Sequence, residues 1–236
     1  MKRIILAALL SIYSVFSFSQ SFQVYKGDTI NRKDSKGMKQ GKWQKYYRTD
    51  TLCSETIFKD DKPVGITRTW YESGKLKGEV RFEGKGKLAK VTTYFESGKI
   101  LAKGFYNNQL KDSVWIYYQA ATDSISTIEH YKNGAADGVW KVFYQNGVLA
   151  HEVSYSKGEK DGIVKEYNDE GRLIFEIQYK NGKENGPSVL YYPEGKLREK
   201  GIYKNGERDG KWQQFDETGV VVKEVIYKNG EEELLK

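Results

Sequence analysis

Apolar and aromatic positions alternate with polar ones in short runs, and the runs come in pairs separated by turn residues. Val139-Trp140-Lys141-Val142-Phe143-Tyr144 is one run, and Val148 to Tyr155 is its mate across Gln145-Asn146-Gly147. Enrichment in β-branched and aromatic residues, bounded by turn residues, predicts strands. Asn-Gly between two such runs predicts a tight hairpin, because both residues tolerate positive φ. Ser156-Lys157-Gly158 begins another turn that reaches Gly162, so Gly138 to Gly162 reads as strand, turn, strand, turn. No other segment carries a helical period, and the N-terminal apolar run is the best candidate for a helix.

The second strand suggests its own orientation. Leu149, Val153 and Tyr155 are separated by even steps, which places them on one face, with Glu152 on the other. The same spacing recurs as Leu173, Ile177 and Tyr179 against Glu176, as Leu76, Val80 and Phe82 against Glu79, and as Val221, Val225 and Tyr227 against Glu224. A slip of one residue would turn the apolar set outward, so the pattern fixes the pairing.

This unit repeats with a period of 24. Steps from Gly41 land on Gly65, Ala89 and Ser113, then, after one inserted residue, on Gly138, Gly162, Gly186 and Gly210. Five residues after each stands an aromatic: Tyr46, Trp70, Tyr94, Tyr118, Phe143, Tyr167, Tyr191 and Phe215. Trp43, Trp115, Trp140 and Trp212 stand two residues after the beat, on the opposite face of the same strand. Both faces therefore carry bulk, and the pattern leaves open which is inward. Self-similarity at such a period defines a stack of units in which each contacts its neighbours. The expected fold is all-β: an elongated, twisted, single-sheet antiparallel meander of about eight β-hairpin repeats. Three departures stand out: Ala89 in place of an opening glycine, the irregular Gly84-Lys85-Gly86 turn, and Ala120-Ala121-Thr122-Asp123 with its insertion. They mark 84–125 as the stretch where the ribbon bends or is specialised.

The ends read differently. Lys2 and Arg3 precede an uncharged run from Ile4 to Phe18, with small residues at Ser17 and Ser19, which is the pattern of a secretory signal peptide cleaved before Gln20. The run is short for a membrane span, and its rival reading is an uncleaved anchor. Residues 1–19 are thus expected to be a signal peptide, 20–40 a polar, aperiodic tail or N-terminal cap, and 41–236 the repeat domain. The expected location is the periplasm, the outer envelope or the exterior.

Charge and composition narrow the partners. Without Lys2 and Arg3 there are 37 basic and 32 acidic residues, interleaved along the chain. No basic run tracks a phosphate backbone, so nucleic acid is not expected as a partner. The single cysteine, Cys53, can form no internal disulfide.

The consensus Tyr-Lys-Asn-Gly-x-x-x-Gly-x-Trp-x-x-Tyr-Tyr-x-x-Gly-x-Leu-x-x-Glu resembles the MORN repeat, and more closely its bacterial variant. Tyr131 to Gly134 with Gly138, Trp140 and Tyr144 carry it, as do Tyr179 to Gly182 with Gly186, Tyr203 to Gly206 with Gly210 and Trp212, and Tyr227 to Gly230. Proteins of that branch are often described as antitoxin components, so the resemblance implies a scaffold with a protein partner, a toxin or an envelope protein. Fold alone does not set function.

Little in the chain points to catalysis. His130 and His151 fall in predicted strands without a neighbouring ligand at metal spacing. Glu55, Glu79, Glu152, Glu176 and Glu224 recur on most rungs, as structural residues paired with lysine on adjacent strands do. No cofactor or metal site is expected, and the expectation is a non-enzyme. The candidate partner-binding surface is the aromatic ladder: Trp43, Trp115, Trp140 and Trp212 with Tyr118 and Tyr144. Such a platform suits a protein, or alternatively a glycan or cell-wall polymer. A weak association with lipid headgroups through basic turns such as 157–160 is a third reading.

Overall fold

A computed structural model describes residues 20–83 and 87–233. The expected signal peptide and the Gly84-Lys85-Gly86 turn lie outside the described residues. Strands pair antiparallel with their neighbours in the chain from β1 (Ser21–Tyr25) to β20 (Glu231–Glu233), except that β11 (Ala135–Ala136) and β12 (Gly138–Phe143) both pair with β10 (Ile125–Lys132). The described residues form one open sheet with no helix. At ~4.8 Å between strands, such a meander is long and one layer thick. The 20–40 stretch forms a hairpin, β1 with β2 (Asp28–Lys33), and β2 pairs with β3 (Lys39–Tyr46).

Each repeat has two turns of different construction. The Tyr-Lys-Asn-Gly turns place two successive residues at positive φ, as in Asn133 (51°) and Gly134 (84°), which is the two-residue turn matched to strand twist. At Asn146-Gly147 only the glycine has positive φ, and Tyr144 N–H donates to the Val148 carbonyl across a longer loop. The Asn-Gly reading at 146–147 therefore gave the hairpin but not its turn type. In the inserted unit the loop widens by one residue. Gln119 N–H donates to Ser124, and Asp123 takes the left-handed conformation that glycine supplies elsewhere.

Two interruptions of the ladder recur. Near each loop the second strand carries one extra residue: Phe143 pairs with Leu149 while Val142 pairs with His151, so Ala150 is bulged. The same step leaves Cys53, Lys77, Leu101, Ser126, Ile174, Arg198 and Val222 without an opposite number. A bulge switches parity along the strand. Leu149, Leu173, Leu76 and Val221 consequently lie opposite the position-five aromatics, on the other face from Val153, Ile177, Val80 and Val225. The even-step reading of those leucines fails for this reason, whereas its glutamate half holds.

The second interruption sits at the beat. Val153 pairs with Val164 and Tyr155 with Lys160, so residues 161–163 face Ser154 alone. Gly162 turns this corner at φ 114°. Where Ala89 replaces the glycine, β6 (Leu76–Glu83) and β7 (Leu88–Tyr94) pair without a break. Ser113 keeps the bulge and is forced to φ 58°. Left-handed backbone costs an L-residue about 1–2 kcal/mol. Ser113→Gly is therefore expected to raise stability by about 1 kcal/mol in urea titration, and Ala89→Gly, where no bulge needs it, to lower it.

Candidate functional site

The cross-strand register runs the position-two residues and their partners into one row along the sheet. It reads Trp43, Thr56, Thr67, Val80, Val91, Gly104, Trp115, Glu129, Trp140, Val153, Val164, Ile177, Ser188, Gly201, Trp212 and Val225. Trp115 is 4% exposed, Trp212 2% and Ser188 0%, whereas Trp43 and Trp140 are half-buried; the core follows this row, with Ala89 and Ala102 buried beside it. A sheet without a second layer has to bury its large rings in its own plane. Trp115 and Trp212 do so by lying on Gly104 and Gly201 of the preceding strand, where a Cβ would come within 2.1 Å of either ring. Gly104 and Gly201 are not in a positive-φ conformation, so close approach is what requires them.

The indole N–H groups also find structural partners. Trp140 Nε1 donates to the His130 carbonyl at 2.9 Å, Trp115 to Phe105 at 3.0 Å, Trp212 to Ile202 at 3.1 Å and Trp43 to Arg32 at 3.3 Å. In the bulged units these carbonyls lie beside the interruption of the ladder, and the His130 carbonyl accepts from the Asp137 N–H as well as from the indole. Aromatics flank each ring. Trp140 lies 5.2 Å from Tyr131 and 4.8 Å from Tyr155, and Trp212 lies 5.0 Å from Tyr203 and 6.4 Å from Tyr227.

Three of the four rings are further covered by a cation two residues before the beat. Lys39 and Lys111 Nζ sit 4.8 Å over Trp43 and Trp115, and the Arg208 guanidinium sits 4.1 Å over Trp212. Trp140 has Ala136 at the equivalent position and lacks this cover. The reading of the tryptophans as an exposed platform missed these cations, although the spacing Lys39–Gly41, Lys111–Ser113 and Arg208–Gly210 was there to be read.

Glu129 is the one charged member of the row. It lies between Trp115 and Trp140, with Lys111 Nζ at 3.2 Å and the Tyr131 hydroxyl donating at 3.0 Å. Lys111 also donates to Tyr117 at 2.6 Å and Tyr131 at 3.2 Å. Burial opposes the charge of Lys111, but its bonds to Tyr117, Tyr131 and Glu129 outweigh it and hold the ammonium above its ordinary pKa. Near the C-terminal end, Arg208 Nη2 lies 2.8 Å from Glu199 Oε1 as a close ion pair without hydrogen-bond alignment. Both groups are ion pairs between adjacent strands.

The other two candidates lie elsewhere. Tyr144 stands at a loop, where its hydroxyl donates to the Tyr167 carbonyl of the next repeat at 2.8 Å. Tyr47, Tyr71 and Tyr192 make the same bond to Trp70, Tyr94 and Phe215. Tyr118 is half-buried on the face opposite the tryptophans, with Lys103 5.7 Å over its ring. The six residues thus form no common surface.

That opposite face carries the recurring glutamates in a cross-strand ladder. Glu79 pairs with Arg68 at 2.7 Å, Glu152 with Lys141 at 3.3 Å and Glu176 with Lys165 at 3.1 Å. Glu55 accepts from Gln44 and Glu224 from Gln213. Beside the ladder runs a row with recurrent exposed apolar side chains: Ile57, Phe105, Val114, Ile163 and Ile202. Among the described residues no group of three or more His, Cys, Asp or Glu is placed to hold a metal ion.

A chain built of hairpins that share one distributed core is a repeat scaffold. It belongs to the MORN repeat variant family, whose model matches residues 63–83, 87–108, 136–157, 160–181, 184–205 and 208–229. The interval 109–135, which is not matched, holds Ser113, the insertion and Glu129, yet it folds as the same hairpin. No curated protein matches the chain.

The burial of Trp212 is directly measurable. Trp212→Ala is expected to destabilise by about 3–5 kcal/mol, as truncation of a core aromatic does. Tyr144→Phe, which removes one hydrogen bond, should cost about 1 kcal/mol by the same urea titration.

Proposed function

We infer that the chain is a non-enzymatic scaffold that binds a protein partner through the face opposite the tryptophans. The observation that carries this reading is the exposure on that face of Ile57, Phe105, Val114, Ile163 and Ile202 beside a ladder of neutralised charges. Aliphatic side chains bordered by satisfied polar groups match the composition of a protein interface. The repeat family, whose modules engage proteins or membranes, supports the same class. The glycan reading loses part of its support, because Trp115 and Trp212 are buried between tyrosines and beneath cations.

The reading extends to location and to partner type. Lys2, Arg3 and the uncharged run to Phe18 support export with cleavage before Gln20, and a toxin neutralised in the envelope would be one such partner. Mature protein recovered from an envelope fraction should begin at Gln20; recovery of the intact N-terminus from the cytosol would contradict export.

Binding is tested by affinity capture from an envelope extract. The native chain should retain a protein in stoichiometric amount, and Ile163→Glu with Ile202→Glu should lose it at unchanged thermal stability. Retention of polysaccharide alone, or capture indifferent to both substitutions, would overturn the assignment to this face.

A further inference from the structure

Four of the eight position-two residues on the tryptophan face carry no ring: Thr67, Val91, Val164 and Ser188. In the repeats of Trp140 and Trp212 the indole is flanked by an aromatic nine residues before it and another fifteen residues after it: Tyr131 and Tyr155, Tyr203 and Tyr227. In the repeat that opens at Ala89 the two flanking positions are Phe82 and Tyr106, but the position between them is Val91. Val91 is 4% exposed, pairs with Val80 and Gly104, and reaches no further than the sheet.

Beside it lies an open hollow of about 320 Å³ lined by Val80, Phe82, Ala89 and Tyr106, with Lys87 and Gln109 at its rim. That volume is at the low end for a small-ligand site. Its walls are apolar and aromatic. Lys87 stands two residues before the beat, as do Lys39, Lys111 and Arg208, each of which covers a tryptophan ring at 4.1–4.8 Å. Two aromatic walls and a cation are thus present without a ring between them; the same set recurs around Val164 as Tyr155, Tyr179 and Lys160, but there Lys160 lies 5.0 Å over the Tyr179 ring.

We propose that this hollow docks an aromatic side chain, tryptophan or tyrosine, presented by a protein partner. The guest ring takes the position that Trp140 and Trp212 take in their own repeats: edge or tilted contacts to Phe82 and Tyr106, and the Lys87 ammonium over its face. The inference deepens the scaffold reading and rests on it for the source of the ring. It also adds an anchor on the tryptophan face to the aliphatic row opposite, so that one partner segment would wrap an edge or two segments would bind opposite faces.

Indole and N-acetyltryptophanamide are the probes, titrated into the full mature chain and followed by NMR. Binding is expected with a Kd on the order of 1 mM and with shifts centred on Val80, Phe82, Ala89 and Tyr106. Lys87→Ala, at an exposed site, should weaken it about threefold. Val91→Trp, which rebuilds the missing ring, should weaken it about tenfold or more; if that chain does not fold, Ala89→Leu obstructs the hollow instead. Absence of binding to the native chain, or equal binding to the filled variant, overturns the proposal. Self-association that the filled variant abolishes would make a second copy the occupant and would also overturn it. Failures are separable: a captured partner that still binds the filled variant leaves the scaffold standing without the hollow, whereas indole binding with no captured partner does the reverse.

Discussion

A single sheet has no second layer against which to bury its side chains, and this constraint governs the rest of the structure. Folded domains ordinarily make a core by packing one layer on another. Here the core is a narrow band centred on one row, and its large members lie along the sheet. The indoles of Trp115 and Trp212 extend over the preceding strand onto glycine, and their N–H groups take up carbonyls where the ladder is interrupted. Burial and polar satisfaction are achieved by the same side chain.

The remaining devices follow from the need to couple one hairpin to the next. On one side of the sheet the N–H of a turn glycine donates to the repeat before it, as Gly134 does to Lys111 and Gly230 to Arg208. On the other side, tyrosine hydroxyls such as that of Tyr144 reach the repeat after it. Between them run the tryptophan row and, on the opposite face, the Glu–Lys ladder. Each link spans one repeat, so stability is a sum of local terms, as expected for a solenoid-like chain. The family assignment accords with this construction, and the function it permits is recognition along an extended surface.

Much of this was legible in the chain. The beat at Gly41, Gly65 and onward gave the repeat hairpins and their antiparallel order but not the N-terminal hairpin of β1 and β2, and the odd spacing of Glu152 from Val153 gave the charge ladder. What misled was parity. Even steps from Leu149 to Val153 predict one face, but the bulged Ala150 lies between them and sends Leu149 to the other. The tryptophans stood as a candidate platform because strand periodicity carries no information about whether a ring stands away from the sheet or lies along it. Gly104 and Gly201, eleven residues before Trp115 and Trp212, hold that information, as do the cations four residues before the same rings. Ala89 was noticed as a departure, yet its effect, an unbroken β6–β7 ladder beside a vacant ring position, depends on pairing that the sequence does not display.

The central claim is that the tryptophan row is a local core, held rung by rung. Native-state hydrogen exchange on the native chain and on Gly201→Ala tests it most directly, because the added methyl must displace the Trp212 ring without altering any surface residue. Exchange should accelerate in β17 (Leu197–Lys204), β18 (Glu207–Phe215) and β19 (Val221–Lys228) and stay unchanged in β3 and β4 (Leu52–Lys59). Unaltered protection around Trp212, or uniform loss of protection along the whole sheet, would contradict the account.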